Sequence, residues 1–289
     1  MRWFLWPCLA LLIAAPGAAQ AGMPMKVKET CAVGGERFTY ITTPSYTTFG
    51  ARPDGKPYGS WTFPMELPVC PKNGLVMYRE FSKDELARLP ALIASPEYVA
   101  LRPSETPYYR AAWLARALDP KTDDHAWLLL SASWEADGEP AKKTRYQVQF
   151  VVAAEAVPAR PEALEWLAMQ VRAINARREL GRFDEAAEAL KGLPRDALVA
   201  RPAKTSDESD RDEENRQGWR GAIAQLERAI ARRDAASEPL DMIPLEVAAS
   251  YCLGVPDEQP PRSDPHCTDP ALAAKVAEFR KHRADAGEP

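Results

Sequence analysis

Histidine is scarce in this 289-residue chain: His125, His266 and His282 are the only three. Their spacing offers neither an HExxH helix nor any other paired-histidine ligand set. No GxSxG elbow, phosphate-binding P-loop or GxGxxG turn occurs, so the sequence motifs of hydrolases, nucleotide-binding and dinucleotide-binding enzymes are missing. No Cys-x-x-Cys pair occurs either, which argues against a thiol redox centre at a helix start. After the first residues, no apolar run approaches the ~20 residues a membrane-crossing helix requires. A formal net charge of −4 gives no basic excess to attract nucleic acid or anionic lipid. Neither a cofactor nor a metal is expected, and serines and aspartates stand singly in loops with no triad discernible.

What is present begins with MRWFLWPCLALLIAAPGAAQAG. Arg2 precedes an apolar run from Trp3 to Ala15, Pro16-Gly17 breaks it, and Ala19-Gln20-Ala21 supplies the small residues of a cleavage site. Residues 1–21 therefore read as a cleaved secretory signal, which implies a periplasmic or secreted protein without a membrane span. Cys8 leaves with the signal, because Leu5-Trp6-Pro7 lacks the small residues of a lipoprotein site. Four cysteines remain: Cys31, Cys70, Cys252 and Cys267. In an oxidising compartment an even number implies disulfides, with three possible connectivities. The local one, Cys31–Cys70 with Cys252–Cys267, is the simplest and is worth about 4 and about 3 kcal/mol in the chain-entropy picture.

Composition divides the mature chain into three. Residues 22–81 read as a small β unit: Glu36 to Thr43 alternates, with Phe38 and Tyr40 on one face. Thr43-Pro44-Ser45 and Pro53-Asp54-Gly55 are turn chemistry. Residues 82–236 read as helices. Ser82 with Glu85 forms a capping box, Thr106-Pro107 opens a second helix, and Asp123 or Asp124 caps a third that Gly138 ends. Tyr109, Trp113 and Ala117 form one stripe; Trp127, Leu130 and Trp134 form another. Residues 142–156 alternate like a strand at Tyr146, Val148, Phe150 and Val152, but their setting and the Ala153-Ala154-Glu155-Ala156 run favour a helix. Leu164, Leu167, Val171 and Ile174 give a further helical stripe, as do Trp219, Ile223, Leu226 and Ile230. Residues 204–217 contain no apolar side chain and are expected to form a mobile acidic loop running into a helix start. Residues 237–289 read as a proline-rich segment holding the second cysteine pair, then a modest helix from Pro270 to His282.

Two short stretches carry a resemblance. CAVGGERF at Cys31 and VCPKNG at Val69 each look like one knuckle of a zinc ribbon, with Gly34 and Asn73 where the second ligands would stand. Leu180-Gly-Arg-Phe-Asp-Glu-Ala-Ala-Glu-Ala-Leu190 is similar to the turn and second helix of a tetratricopeptide repeat, although the preceding helix does not match. Together these resemble an uncharacterised bacterial family that pairs two Cys-x-x-Cys knuckles with tetratricopeptide-like helices. The resemblance implies a mainly α chain with a small, ribbon-like N-terminal β unit, and in four-cysteine members a zinc site. Here glycine offers no ligand and an asparagine amide is a poor one. Knuckle geometry would bring Cys31 and Cys70 close enough to bond, so a disulfide is expected to have replaced the metal.

For function, the expectation is an exported, non-enzymatic helical scaffold in the cell envelope. It would offer a protein or peptide partner a groove between adjacent helices. An envelope enzyme whose site forms only in three dimensions and a metal-binding module are the alternatives. The tryptophans at helical spacing are expected mainly in the core, with one or two lining a groove.

Overall fold

The computed structural model describes residues 22–199, 206–254 and 261–286. The chain is mainly helical, with a small N-terminal β unit. Strands β1 (Met25–Thr30) and β2 (Arg37–Thr42) form an antiparallel pair with Lys28 opposite Thr39. β3 (Thr48–Ala51) and β4 (Pro57–Gly59) form a second hairpin around the Pro53-Asp54-Gly55 turn. Between β1 and β2, Gly34 and Gly35 take positive φ, 87° and 65°, in a turn closed by Cys31 N–H donating to Glu36 O. The second knuckle closes the same way, with Cys70 N–H donating to Leu75 O at 2.9 Å.

Helix α1 (Lys83–Ile93) starts at the Ser82–Glu85 capping box, and α3 (Pro107–Leu118) starts with Thr106 as N-cap and proline in the first turn. Between them lies α2 (Pro96–Leu101), which Ser95 caps in the same manner and which the sequence reading missed. At α4 (Asp124–Glu135), Asp123 occupies the N-cap position without capping. Its carboxylate pairs with Arg160, while the Thr122 hydroxyl accepts from Asp124 N–H. α5 (Pro140–Ala156) is helical throughout. α6 (Leu164–Glu179) and α7 (Phe183–Lys191) form a hairpin turned at Gly181.

Each helix from α3 to α7 packs on its successor. α6 is buried on two sides. Leu167, Val171 and Ile174 join a core with Leu190, Ile223, Leu226 and Ile230, while Met169, Ala173 and Ala176 meet Leu129, Phe150 and Ala154 on the other. The side chains on the second face are mostly small, which lets α6 lie close to α5.

Two expectations need correction. The acidic stretch is not a loop: α8 (Ser206–Ala231) includes it, and residues 204 and 205 lie outside the described residues. The apolar half of α8 is anchored by Ile223, Leu226 and Ile230, and the polar half continues the same helix. Glu213 accepts from Arg216 at 3.0 Å and from Arg220 at 2.8 Å, and Arg220 also donates to Leu198 O. Absence of apolar residues excludes a core-facing stripe; it does not exclude a helix whose register is set further along. The proline-rich segment likewise holds a helix, α9 (Leu245–Leu253), in which Ala248, Ala249 and Cys252 are buried against Leu272 and Val276 of α10 (Pro270–Ala286).

Cys31 is joined to Cys70 and Cys252 to Cys267. The first bridge lies in a core with Leu89, Ile93, Tyr98, Leu114 and Leu118, so it fastens the knuckles to the first three helices. The second ties α9 to the turn before α10. Two disulfides indicate an oxidising compartment, and among the described residues no helix is long and apolar enough to cross a membrane.

Candidate functional site

The knuckles are the first place to look for chemistry. Asn73, at the ligand position of the second knuckle, donates its amide to Val33 O at 2.8 Å and accepts from Leu75 N–H at 3.0 Å. It therefore stitches the two turns together. The Gly74 carbonyl between them accepts from Tyr98 Oη at 2.9 Å and from Arg110 at 3.2 Å. With both thiols bonded to each other and Asn73 engaged by backbone, this donor set does not fit a zinc ion. Among the described residues, no group of three or more His, Cys, Asp or Glu side chains is arranged to hold a metal. His266 is turned toward Asp264 of its own loop at 2.9 Å and does not meet His125 or His282 in any cluster.

The strongest electrostatics lie where the β3–β4 hairpin meets the helices. Arg52 is buried and forms a two-point contact with Asp54; it also donates to Asp137 at 2.8 Å. Lys56 and Lys143 reach the same Asp137 carboxylate at 2.6 and 2.7 Å. Burial opposes ionisation of Asp137, but the three cations overcome it and hold its carboxyl far below the ordinary range. Burial likewise works against the Arg52 charge, and the two carboxylates more than restore it. Further in, Gln147 and Asn175 donate to Glu179, whose carboxyl is pushed up by burial. Arg178, wholly buried, donates to the Asp234 and Ala236 carbonyls at 2.7 Å and so pins the chain after α8. Tyr58 of β4 donates to Glu238 at 2.8 Å, which also accepts from Tyr251 of α9. The titratable groups with displaced pKa in this region hold one another. They fasten the hairpin and the C-terminal segment onto α4, α5 and α6.

A different face is open. A cavity of about 690 Å³ runs between α3 and α5 over α4. Tyr109, Ala112 and Trp113 line it from α3, Ala126 and Leu129 from α4, and Val148, Val152 and Ala153 from α5. Val148 and Val152 are 40% and 61% exposed, unusually open for valines in a helix otherwise packed on both neighbours. At one end stand Arg116 and Lys121, and neither forms an ion pair with any described residue. Among the described residues, no aspartate or glutamate lines the cavity. His125 also lines it; its Nδ1–H donates to Ala112 O at 3.0 Å, and burial, with the nearby Arg116, lowers its pKa. The surface is thus apolar, concave and cationic at one end, with no nucleophile–base pair facing it.

Of the tryptophans read as core, Trp166 is buried, Trp113 lines the open cavity, and Trp127 and Trp219 flank the Arg172 guanidinium. The spacing of Val148 and Val152 did signal a shared face. Nothing in the sequence said that this face would lack a covering element. The Arg52–Asp54–Asp137 set was not legible in the sequence, because its members lie in two turns far apart in the chain and a further partner, Lys143, comes from α5. Comparison with family models, with curated proteins and with solved structures returns no match.

Proposed function

We propose that this chain is an exported, non-enzymatic scaffold of the cell envelope that docks a protein segment in the α3–α5 groove. Residues 1–21 act as the cleaved signal, and the knuckle pair is a ribbon-like unit in which a disulfide stands in for a metal. The observation that carries the reading is the groove itself: exposed valines beside an aromatic wall, with unpaired Arg116 and Lys121 at the end and no acid of its own. Apolar side chains of a helix or extended segment would fill the trough, in the manner of helix-in-groove recognition. An acidic side chain on that segment would meet the two cations, giving register and attraction. The catalytic alternative has less support: the Arg52–Asp54–Asp137 set lies away from the groove and is committed to itself, and His125, the groove-lining group with a displaced pKa, is engaged with Ala112 O.

Peptide display on the immobilised mature protein tests this. Selection should enrich segments that combine apolar residues at helical or alternate spacing with an Asp or Glu. Binding of those segments should fall sharply in Val152→Asp and in Arg116→Glu. Failure to enrich any such pattern, or enrichment indifferent to both substitutions, refutes docking at this groove.

A further inference from the structure

A second, smaller cavity of about 240 Å³ lies on the other side of α6, where the β3–β4 turn meets α8. Arg172 reaches into it from α6. Its guanidinium carbon sits 5.3 Å from the Trp127 ring of α4 and 5.2 Å from the Trp219 ring of α8. The two indoles hold the cation in place between them. Gly55, at φ +91°, lets the turn pass directly over this guanidinium: a Cβ there would lie 2.3 Å from Arg172 Nε. An arginine so closely housed should have an acceptor for its five N–H donors. Among the described residues none accepts from it. The nearest carboxylate, Asp54, is taken by Arg52.

Five cations meet in this interior, Arg52, Lys56, Lys143, Arg172 and Arg178, against three carboxylates, Asp54, Asp137 and Glu179. Positive charge is in excess; Arg52 and Arg172 both line the cavity, but Arg52 is paired with Asp54 and Asp137, which leaves Arg172 as the lining cation without a carboxylate partner among the described residues. The Gln225 amide also lines the wall and has no hydrogen-bond partner among the described residues, and much of the rest is apolar, including Val171, Leu226 and Met242. We infer that this niche is a binding site for a small monocarboxylate, its carboxylate paired with Arg172 and assisted by Gln225, its short tail against Leu226 and Met242. One guanidinium matches one carboxylate in charge and fork geometry. A phosphate or sulfate, with more charge and more oxygens, would find too few donors here. The volume lies below the ~300 Å³ where drug-sized pockets begin, so only a compact molecule fits.

The test uses the mature chain with both disulfides intact and the probes acetate, butyrate, lactate and pyruvate, with sulfate and phosphate as controls. Calorimetric titration should show saturable binding of at least one carboxylate, and the Arg172 Nε–H resonance should shift along the same isotherm. Arg172→Met, which keeps bulk between the indoles, should weaken binding at least about tenfold, and Gln225→Leu should weaken it more modestly. If Arg172→Met does not fold, the Gln225→Leu titration and the Nε–H shift of the unaltered protein decide the matter. The proposal is overturned if no carboxylate saturates, if the substitutions leave affinity unchanged, or if sulfate and phosphate bind as well as the carboxylates do. Neither Arg172 nor Gln225 lines the α3–α5 groove, so failure here leaves groove docking untouched, and the converse also holds.

Discussion

Asp137 is the point at which the fold concentrates most charge, and replacing it with asparagine isolates what that charge does. Its carboxylate accepts from Arg52, Lys56 and Lys143, three cations whose side chains are between 7% and 20% exposed. Asp137→Asn keeps the shape and removes the negative charge, leaving Lys56 and Lys143 half-sealed without a counterion and Arg52 with Asp54 alone. Removing one partner of a buried ion pair costs about 3–5 kcal/mol. Asp137 is itself 29% exposed, so the lower end, about 3 kcal/mol, applies. For a chain of this size that corresponds to a fall of about 6–12 °C in melting temperature. The effect has a pH signature. A carboxylate whose folded pKa lies below its ordinary value of 3.8 contributes stability that is fully present above that value and fades as pH falls beneath it. Urea titrations of the two proteins should therefore differ widely at neutral pH and converge progressively below pH 3.8. Because Asp137 holds the β3–β4 hairpin, amide exchange over 48–59 should rise in the variant before global unfolding does. A loss under about 1 kcal/mol, or a gap that persists unchanged in acid, refutes the clamp.

Removing Cys31 and Cys70 together as alanines should cost about 4 kcal/mol and removing Cys252 and Cys267 about 3 kcal/mol, since the sequence separations are 39 and 15; chemical denaturation of the two double variants checks the order. Asn73→Ala should destabilise by about 1–2 kcal/mol, because it leaves Val33 O and Leu75 N–H of the two knuckles without their shared partner. His125 is held neutral by burial, so the unfolded chain takes up its proton first, and stability should decline as pH drops below the ordinary value of 6.5; His125→Gln should flatten that part of the profile in thermal melts.

Local signals in the sequence were sufficient for much of the framework. Ser82 with Glu85 and Thr106 with Pro107 begin helices where their side chains satisfy the first free amides. Phe38 and Tyr40 place β2, and the lack of CxxC already made Asn73 an unsuitable ligand. What the sequence hid is long-range. Arg52, Asp54 and Asp137 lie in two turns separated by β4, the second knuckle and four helices, and nothing near any of them indicates burial. The polar half of α8 shows the converse failure. Composition there records which surface faces water, whereas helicity is inherited from Ile223, Leu226 and Ile230 downstream. α9 was masked by neighbouring prolines, although Pro244 stands at its N-cap, where proline is tolerated. The groove needed three helices to be placed before its openness existed at all: Val148 and Val152 follow the same spacing as core residues.

The charge clamp also explains why the groove lies where it does. The β3–β4 hairpin and the segment after α8 already cover the strip shared by α4, α6 and α8, through Arg52, Gly55, Arg178 and Glu238. That leaves the α3–α5 side as an uncovered concavity of about 690 Å³. A photo-reactive residue substituted at Val152, compared in living cells with one at Val199, tests docking there most directly. Val199 is 63% exposed, matching Val152 in accessibility, and lies away from the groove. Groove docking predicts an envelope-protein adduct from position 152 alone, joined through a segment that is apolar and carries an acidic residue. Equal labelling from both positions, or none from position 152, contradicts it.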